Sequence, residues 1–159
     1  MQRQMRRKDR EITKEEAMVL LKDAEYGVLA TVGNDNIPYA VPMNYVLIDN
    51  TIYMHCATAG HKIDNMQSNP NVSFTVIGKT QPVHEGNDYS TFFESAIAFG
   101  KARFVNDEKE FRDSLYILTK KYFPDGMAEF DAIMEKYDLS RLHVIAVDLS
   151  HVSGKAKRA

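Results

Sequence analysis

Three short runs rich in β-branched and apolar residues, YGVLATVG, IPYAVPMNYVLID and TIYMHCA, follow one another with only Asn34-Asp35-Asn36 and Asp49-Asn50 between them. Both separators are made of residues that tolerate left-handed backbone and close tight turns. Turns this short join antiparallel neighbours, so this part of the chain reads as a three-stranded meander. The middle run carries Pro38 and Pro42. Proline cannot donate to a sheet ladder, so the second strand is expected at an edge and deformed near Pro42.

The remaining segments extend that pattern. Thr13 and Glu16 have capping-box spacing, and Ala17, Leu20, Leu21 and Ala24 recur with helical period, predicting a helix over about 13–25. A second helical piece begins near Gly60 or His61 and ends by Asn69, because Pro70 disfavours helix in the residue before it. NVSFTVIG follows as a strand with Val72, Phe74 and Val76 on one face. Lys79 to Ser90 is polar, with a proline and a glycine, and reads as an exposed loop. TFFESAIAFGKARFVN reads as a fifth strand broken near Gly100, where a bulge or a close backbone approach is expected. Asp107 and Glu110 open another helix, which carries Phe111, Leu115, Leu118 and Tyr122 on one face and stops at Pro124-Asp125-Gly126. Met127, Phe130, Met134 and Tyr137 suggest a further short helix, and LHVIAVDLS a sixth strand. Antiparallel strands with few helices fit a small closed or nearly closed barrel, which removes sheet edges.

A chain of 159 residues buries one good core and is short for two domains, so a single domain over 1–159 is expected. A net charge of -2 gives no general attraction to nucleic acid. The basic ends, MQRQMRRKDR with its arm over 1–10 and GKAKRA, can hold RNA or a membrane surface and are read first as solvated tails or partner contacts. No run reaches transmembrane length and no apolar stretch follows the basic start, so neither membrane nor secretion is signalled and a cytoplasmic protein is expected. A single cysteine forms no internal disulfide and no Cys-Cys metal knuckle.

The reactive side chains concentrate in YMHCATAGHKIDN, Tyr53 to Asn65. A metal site lacks third and fourth ligands beside His55 and His61. A thiol site fails on strand parity, because His55 and Cys56 point to opposite faces, and Cys56 reads as a small buried hydrophobe. The phosphate reading is better founded. A helix entered through Thr58-Ala59-Gly60 offers free N–H groups and the positive end of its dipole to an anion. Lys62 in its first turn opposes the dipole, a cost that an anionic ligand offsets.

MRRKDREIT, PYAVPMNY, IYMHCATAGHKIDNMQSNPNVSF, SAIAFGKARFV and SGKA, in this order and spacing, resemble the flavin-binding split-barrel superfamily. Within it the chain is most similar to the nitroimidazole reductase (Nim-like) group of pyridoxamine 5'-phosphate oxidase-like proteins. The resemblance implies a mainly β fold with flanking helices, a six-stranded antiparallel split barrel. It further implies a homodimer holding two FMN molecules at the subunit interface, and reduction of a small electron-poor acceptor such as a nitroaromatic.

Carried over by position, the resemblance puts Pro42, Met43, Asn44 and Tyr45 beside the isoalloxazine ring, their backbone groups bonding its polar edge. It makes His55 the residue near flavin and substrate, a proton donor in catalysis. Cys56, Ala57 and Thr58 line the cofactor on the way to His61 and Lys62, which grip the phosphate. Ser95, Ala96 and Ile97 match a segment that approaches the flavin or the partner subunit. The chain ends SHVSGKAKRA where a true pyridoxamine 5'-phosphate oxidase has an arginine-containing substrate motif, which argues against vitamin B6 oxidation. A non-catalytic flavin binder and a haem-binding split barrel remain competing readings.

Overall fold

The computed structural model describes residues 3–158. A single turn of 3-10 helix at Lys8–Arg10 leads into the short strand β1 (Glu11–Ile12) and then helix α1 (Lys14–Asp23). The expected capping box is present: Glu16 N–H donates to Thr13 Oγ1 at 3.1 Å and Thr13 N–H to Glu16 Oε2 at 2.9 Å. Strands β2 (Tyr26–Val32), β3 (Pro38–Asn44), β4 (Val46–Ile48) and β5 (Thr51–Ala57) follow, then α2 (His61–Ser68). The two tight turns use Asn36 and Asp49, both at positive φ (58° and 52°), as their short polar side chains allow. Strands β6 (Asn71–Glu85) and β7 (Asp88–Phe104), helices α3 (Glu108–Tyr122) and α4 (Phe130–Lys136), and strand β8 (Leu142–Lys157) complete the chain.

All pairings are antiparallel, in the order β3-β2-β6-β7-β8-β5-β4, with β1 added beside β8. The two ends of that order, β3 and β4, are consecutive in sequence and separated by Tyr45 alone. One bent segment therefore closes the sheet into a barrel. Strand alternation sends Leu29, Ile52, Met54, Phe74, Val76, Ile145 and Val147 into its interior, where each is fully or almost fully buried. Each such side chain contributes about 1.5–3 kcal/mol of hydrophobic stabilisation. Helix α1 adds Ala17 and Leu21 to that cluster, and α2 adds Ile63 and Met66. A second cluster, with Val144 and Ala146 of β8, Leu115 of α3 and Phe130 of α4, covers the outer face of β5 and β8.

Four expectations are corrected. Lys79 to Ser90 is not a loop: β6 and β7 continue pairing through Thr80↔Phe93 to Glu85↔Asp88 and form a hairpin arm. Its turn uses Gly86 at φ 60°, and its strands lack alternation because few of their side chains face a core. The chain bend lies at Tyr45, not Pro42, which stays in register opposite Val28 in the edge strand β3. The basic tail is not solvated: β8 runs to Lys157 between β7 and β1, with Gly154 paired to Ile12 and Ala156 buried. The sheet has eight strands, not six, because β1 is additional and the second run divides into β3 and β4. At Gly100 the fifth strand is continuous and the register shift falls in β8 opposite it. A Cβ there would stand 2.4 Å from Asp148 O, the close backbone approach that requires glycine. Among the described residues no helix is long and apolar enough to cross a membrane.

Candidate functional site

Strand β5 divides the reactive stretch by parity, as expected from its alternation. Ile52, Met54 and Cys56 face the barrel interior, and Tyr53, His55 and Ala57 face outward. Tyr53 is covered by α3 and donates to Glu110 Oε1 at 2.7 Å. His55, two residues on and opposite Val144, lies beyond that cover. The residue is exposed, and the protein around it lowers its pKa by partial burial. Burial raises the Cys56 pKa, and the positive charge of Lys62 opposes the shift. Cys56 is thus half-buried packing against the core and unsuited to act as a thiolate.

Beyond Ala57 the chain is exposed through Thr58, Ala59 and Gly60. Gly60 caps α2 at φ 133°, and no heavy atom lies within 4 Å of where a Cβ would stand, so the approach to the helix start is open. The first helical bonds run from Ile63 N–H and Asp64 N–H to Gly60 O, at 2.8 and 3.1 Å. That pattern leaves the N–H groups of His61 and Lys62 directed out of the helix start. Lys62 is half-buried and His61 exposed. The imidazole of His61 is held by the ring of Tyr39, with centroids 4.3 Å apart.

Two buried polar side chains fix α2 from below. Asn65 Nδ2 donates to Thr31 Oγ1 at 3.0 Å, and these residues are 4% and 3% exposed. Apolar contacts through Ile63 and Met66 allow a short helix to slide, whereas this directional bond sets its position. Neither Tyr39 nor the Thr31–Asn65 pair is anticipated from the sequence. The available signal is Asn65 itself, a polar residue between Ile63 and Met66 on the buried side of an amphipathic helix.

The Pro42–Tyr45 segment divides likewise. Pro42 and Asn44 are exposed, and Met43 packs partly against the core. Tyr45 is fully buried, and its hydroxyl donates to Leu21 O at 2.5 Å. The Tyr122 hydroxyl accepts from Tyr45 N–H at 3.0 Å and lies 3.1 Å from Tyr45 O. Ring and backbone of Tyr45 are thereby engaged within the chain, so the expectation of ligand-binding backbone groups is corrected at this residue. Lys121, whose pKa burial lowers, places its ammonium 4.1 Å from the centroid of the Tyr45 ring.

Ser95, Ala96 and Ile97 lie elsewhere. They belong to β7, separated from β3 by β2 and β6 and from β5 by β8. Ala96 is 1% exposed inside the barrel, so its side chain contacts the core and not a ligand. Ile97 is 37% exposed, and Ser95 and Ile97 alternate outward on a sheet face that also carries Ile77 at 68%. Within one chain the sequence-predicted residues thus form two groups, 42–62 and 95–97.

Among solved structures the chain is similar to a protein described as a candidate 5-nitroimidazole antibiotic resistance protein from Bacteroides thetaiotaomicron, with 27% identity, 92% of this chain and 86% of that one covered, and a TM-score of 0.78. The flavocytochrome Anf3 from Azotobacter vinelandii shares the fold at 15% identity over 98% of this chain and 73% of its own, TM-score 0.82. An FAD-binding protein from Mesorhizobium loti does so at 24% identity over 94% and 98%, TM-score 0.67. No curated protein matches the chain in sequence. The sequence profile of the family described as pyridoxamine 5'-phosphate oxidase matches residues 13–156, which is nearly the whole of the barrel and its helices. The chain belongs to the pyridoxamine 5'-phosphate oxidase family.

Proposed function

We propose that this chain binds a flavin, FMN, and reduces a small electron-poor compound of the nitroaromatic type. The observation that carries the reading is the open start of α2, where nothing stands within 4 Å of a Cβ position at Gly60, the N–H groups of His61 and Lys62 point outward, and a lysine lies in the first turn. These donors fit a phosphate monoester, the anionic end of FMN. The 27% identity with the Bacteroides protein over 92% of the chain supports the choice of acceptor.

In this reading Lys62, His61 and Thr58 hold the phosphate, and Ala57, Pro42, Met43 and Asn44 flank the ring system. Bound FMN supplies two-electron reduction of the acceptor. His55, on the outward face of β5, exchanges a proton with the substrate. With its pKa lowered, the imidazole is largely neutral near pH 7, so it offers its N–H as a hydrogen-bond donor and would pass on a proton only after taking one from solvent on its accessible side.

The single chain leaves His55 and residues 57–61 exposed, and a flavin needs a second wall. A second copy supplies it, docking through the outward face of β6 and β7 and bringing its own Ser95 and Ile97 to the cofactor. An absorption spectrum of the purified protein tests the reading. Flavin bands, with FMN released on heating, are expected; a colourless protein that fails to take up FMN, or a Soret band in place of flavin bands, overturns it. NAD(P)H-driven loss of a nitroaromatic then separates an enzyme from a flavin carrier, and light scattering gives the oligomeric state.

A further inference from the structure

The base of the β6–β7 arm holds a cleft of about 290 Å³ that none of the flavin-facing residues lines. It owes its shape to backbone. Pairing between β6 and β7 slips between Ile77 and Thr80, and Gly78 at the slip admits no side chain freely, since a Cβ there would lie 3.0 Å from both Glu94 Cβ and Leu20 Cδ2.

The whole chain has a net charge of -2, but the cleft walls present Lys79, Lys157 and Arg158 against one carboxylate, Glu94. That carboxylate is already engaged: Arg158 holds Glu94 at 2.8 Å and Glu16 of α1 at 2.7 Å. Among the described residues neither Lys79 nor Lys157 has a carboxylate within ion-pair distance. Lys157 is half-buried; its ammonium meets the Ser90 hydroxyl and lies 5.7 Å from the centroid of the Phe92 ring. An ammonium held in this way has lost part of its hydration and met a hydroxyl and a ring in place of a counter-charge. Lys155 and Arg10 stand 5.6 and 5.9 Å from the Phe93 ring and add to the positive field.

We propose that this cleft binds a small phosphate monoester, with Lys79 and Lys157 meeting the phosphate, Gln81 supplying an amide donor, and Phe92 flanking the organic part. Two unpaired ammonium groups match the charge of about -1.5 to -2 that a phosphate monoester carries at pH 7. The volume is at the low end for ligand pockets, about 300 Å³, and suits a small molecule. The site is separate from the flavin phosphate, which the proposed function assigns to Lys62.

Calorimetric titration of the purified full chain with phenyl phosphate tests the proposal, beside inorganic phosphate and succinate. With excess FMN present to fill the start of α2, phenyl phosphate is expected to bind at one site per chain, more tightly as pH rises from 5.5 to 7.5 and the phosphate loses its second proton. Lys157→Met and Lys79→Met are each expected to weaken it about tenfold, the loss of one charge-assisted bond. Lys157→Arg, which keeps the charge, restores binding and guards against a folding defect in Lys157→Met. Lys62→Ala leaves binding unchanged. Absence of saturable binding, affinity unchanged from the parent protein in both methionine variants, or tighter binding of succinate than of phosphate overturns the proposal. So does a loss confined to Lys62→Ala, which would seat the probe at the start of α2.

Discussion

The ring of Tyr39 lies over the imidazole of His61, centroids 4.3 Å apart and planes inclined by 34°, so an edge strand holds the first residue of α2 in place. Tyr39→Ala frees that imidazole to rotate. Its expected result is weaker FMN binding with little change for riboflavin, which lacks the phosphate. Fluorescence titration of the flavin-free protein with both ligands measures the ratio, and equal weakening of the two would falsify the coupling.

Lys62→Ala removes the cation from the same turn. FMN affinity is expected to fall about tenfold or more, as for loss of a charge-assisted bond, while riboflavin affinity holds. The same titration decides it, and a matching loss for riboflavin assigns Lys62 to packing.

His55 carries a pH dependence whose sign follows from its environment. Burial lowers its pKa below the ordinary 6.5, so below that value the unfolded chain binds the proton more readily than the folded one. Its effect on stability is nil above the ordinary pKa and becomes a loss as pH falls from there through the folded pKa. His55→Gln is expected to flatten that part of a denaturation-midpoint profile, and to reduce nitroaromatic turnover without weakening FMN. NMR titration of the imidazole locates the pKa directly; a value above 6.5 contradicts the account.

Tyr122→Phe leaves Tyr45 N–H without the acceptor it has at 3.0 Å, next to the break between β3 and β4. An unsatisfied group of this kind costs about 1–3 kcal/mol. In a domain of this size each kcal/mol lowers Tm by about 2–4 °C, which differential scanning calorimetry resolves. An unchanged Tm means that water replaces the hydroxyl at no cost.

Where side chains face a core, the sequence was readable. Thr13 and Glu16, Asp107 and Glu110, and the alternation of Val72, Phe74 and Val76 mark elements that the structure contains, because capping and burial act over a few residues. The hairpin arm escaped because few of its side chains meet a core, so no alternation records it. The tail escaped because its lysines suggest solvent, while Gly154 and Ala156 between them carry the packing; a Cβ at Gly154 would stand 2.6 Å from Ile12 Cγ1. Tyr45 looked like a ligand contact because a strand pattern cannot show that Tyr122, far along the chain, engages its backbone. The placement of the candidate residues was legible locally, His55 on the outward face of β5 by parity and Lys62 in the first turn of α2 by helix onset. The separation of Ser95 and Ile97 from them follows from strand order, which nearest-neighbour patterns do not encode.

Strand β8 follows the other described strands in chain order and is the one on which three of them depend, since it pairs with β7, β5 and β1. Until Leu142–Lys157 has left the ribosome, the emerging chain has two ladders with no strand pairing between them, β3-β2-β6-β7 and β5-β4, linked by the chain at Tyr45 and through α2. The nascent chain thus waits as two half-sheets with open inner edges, and the sixteen-residue strand β8 acts as the zip. A ribosome that stalls before this strand releases a chain with two unpaired edges, the form most exposed to aggregation and proteolysis.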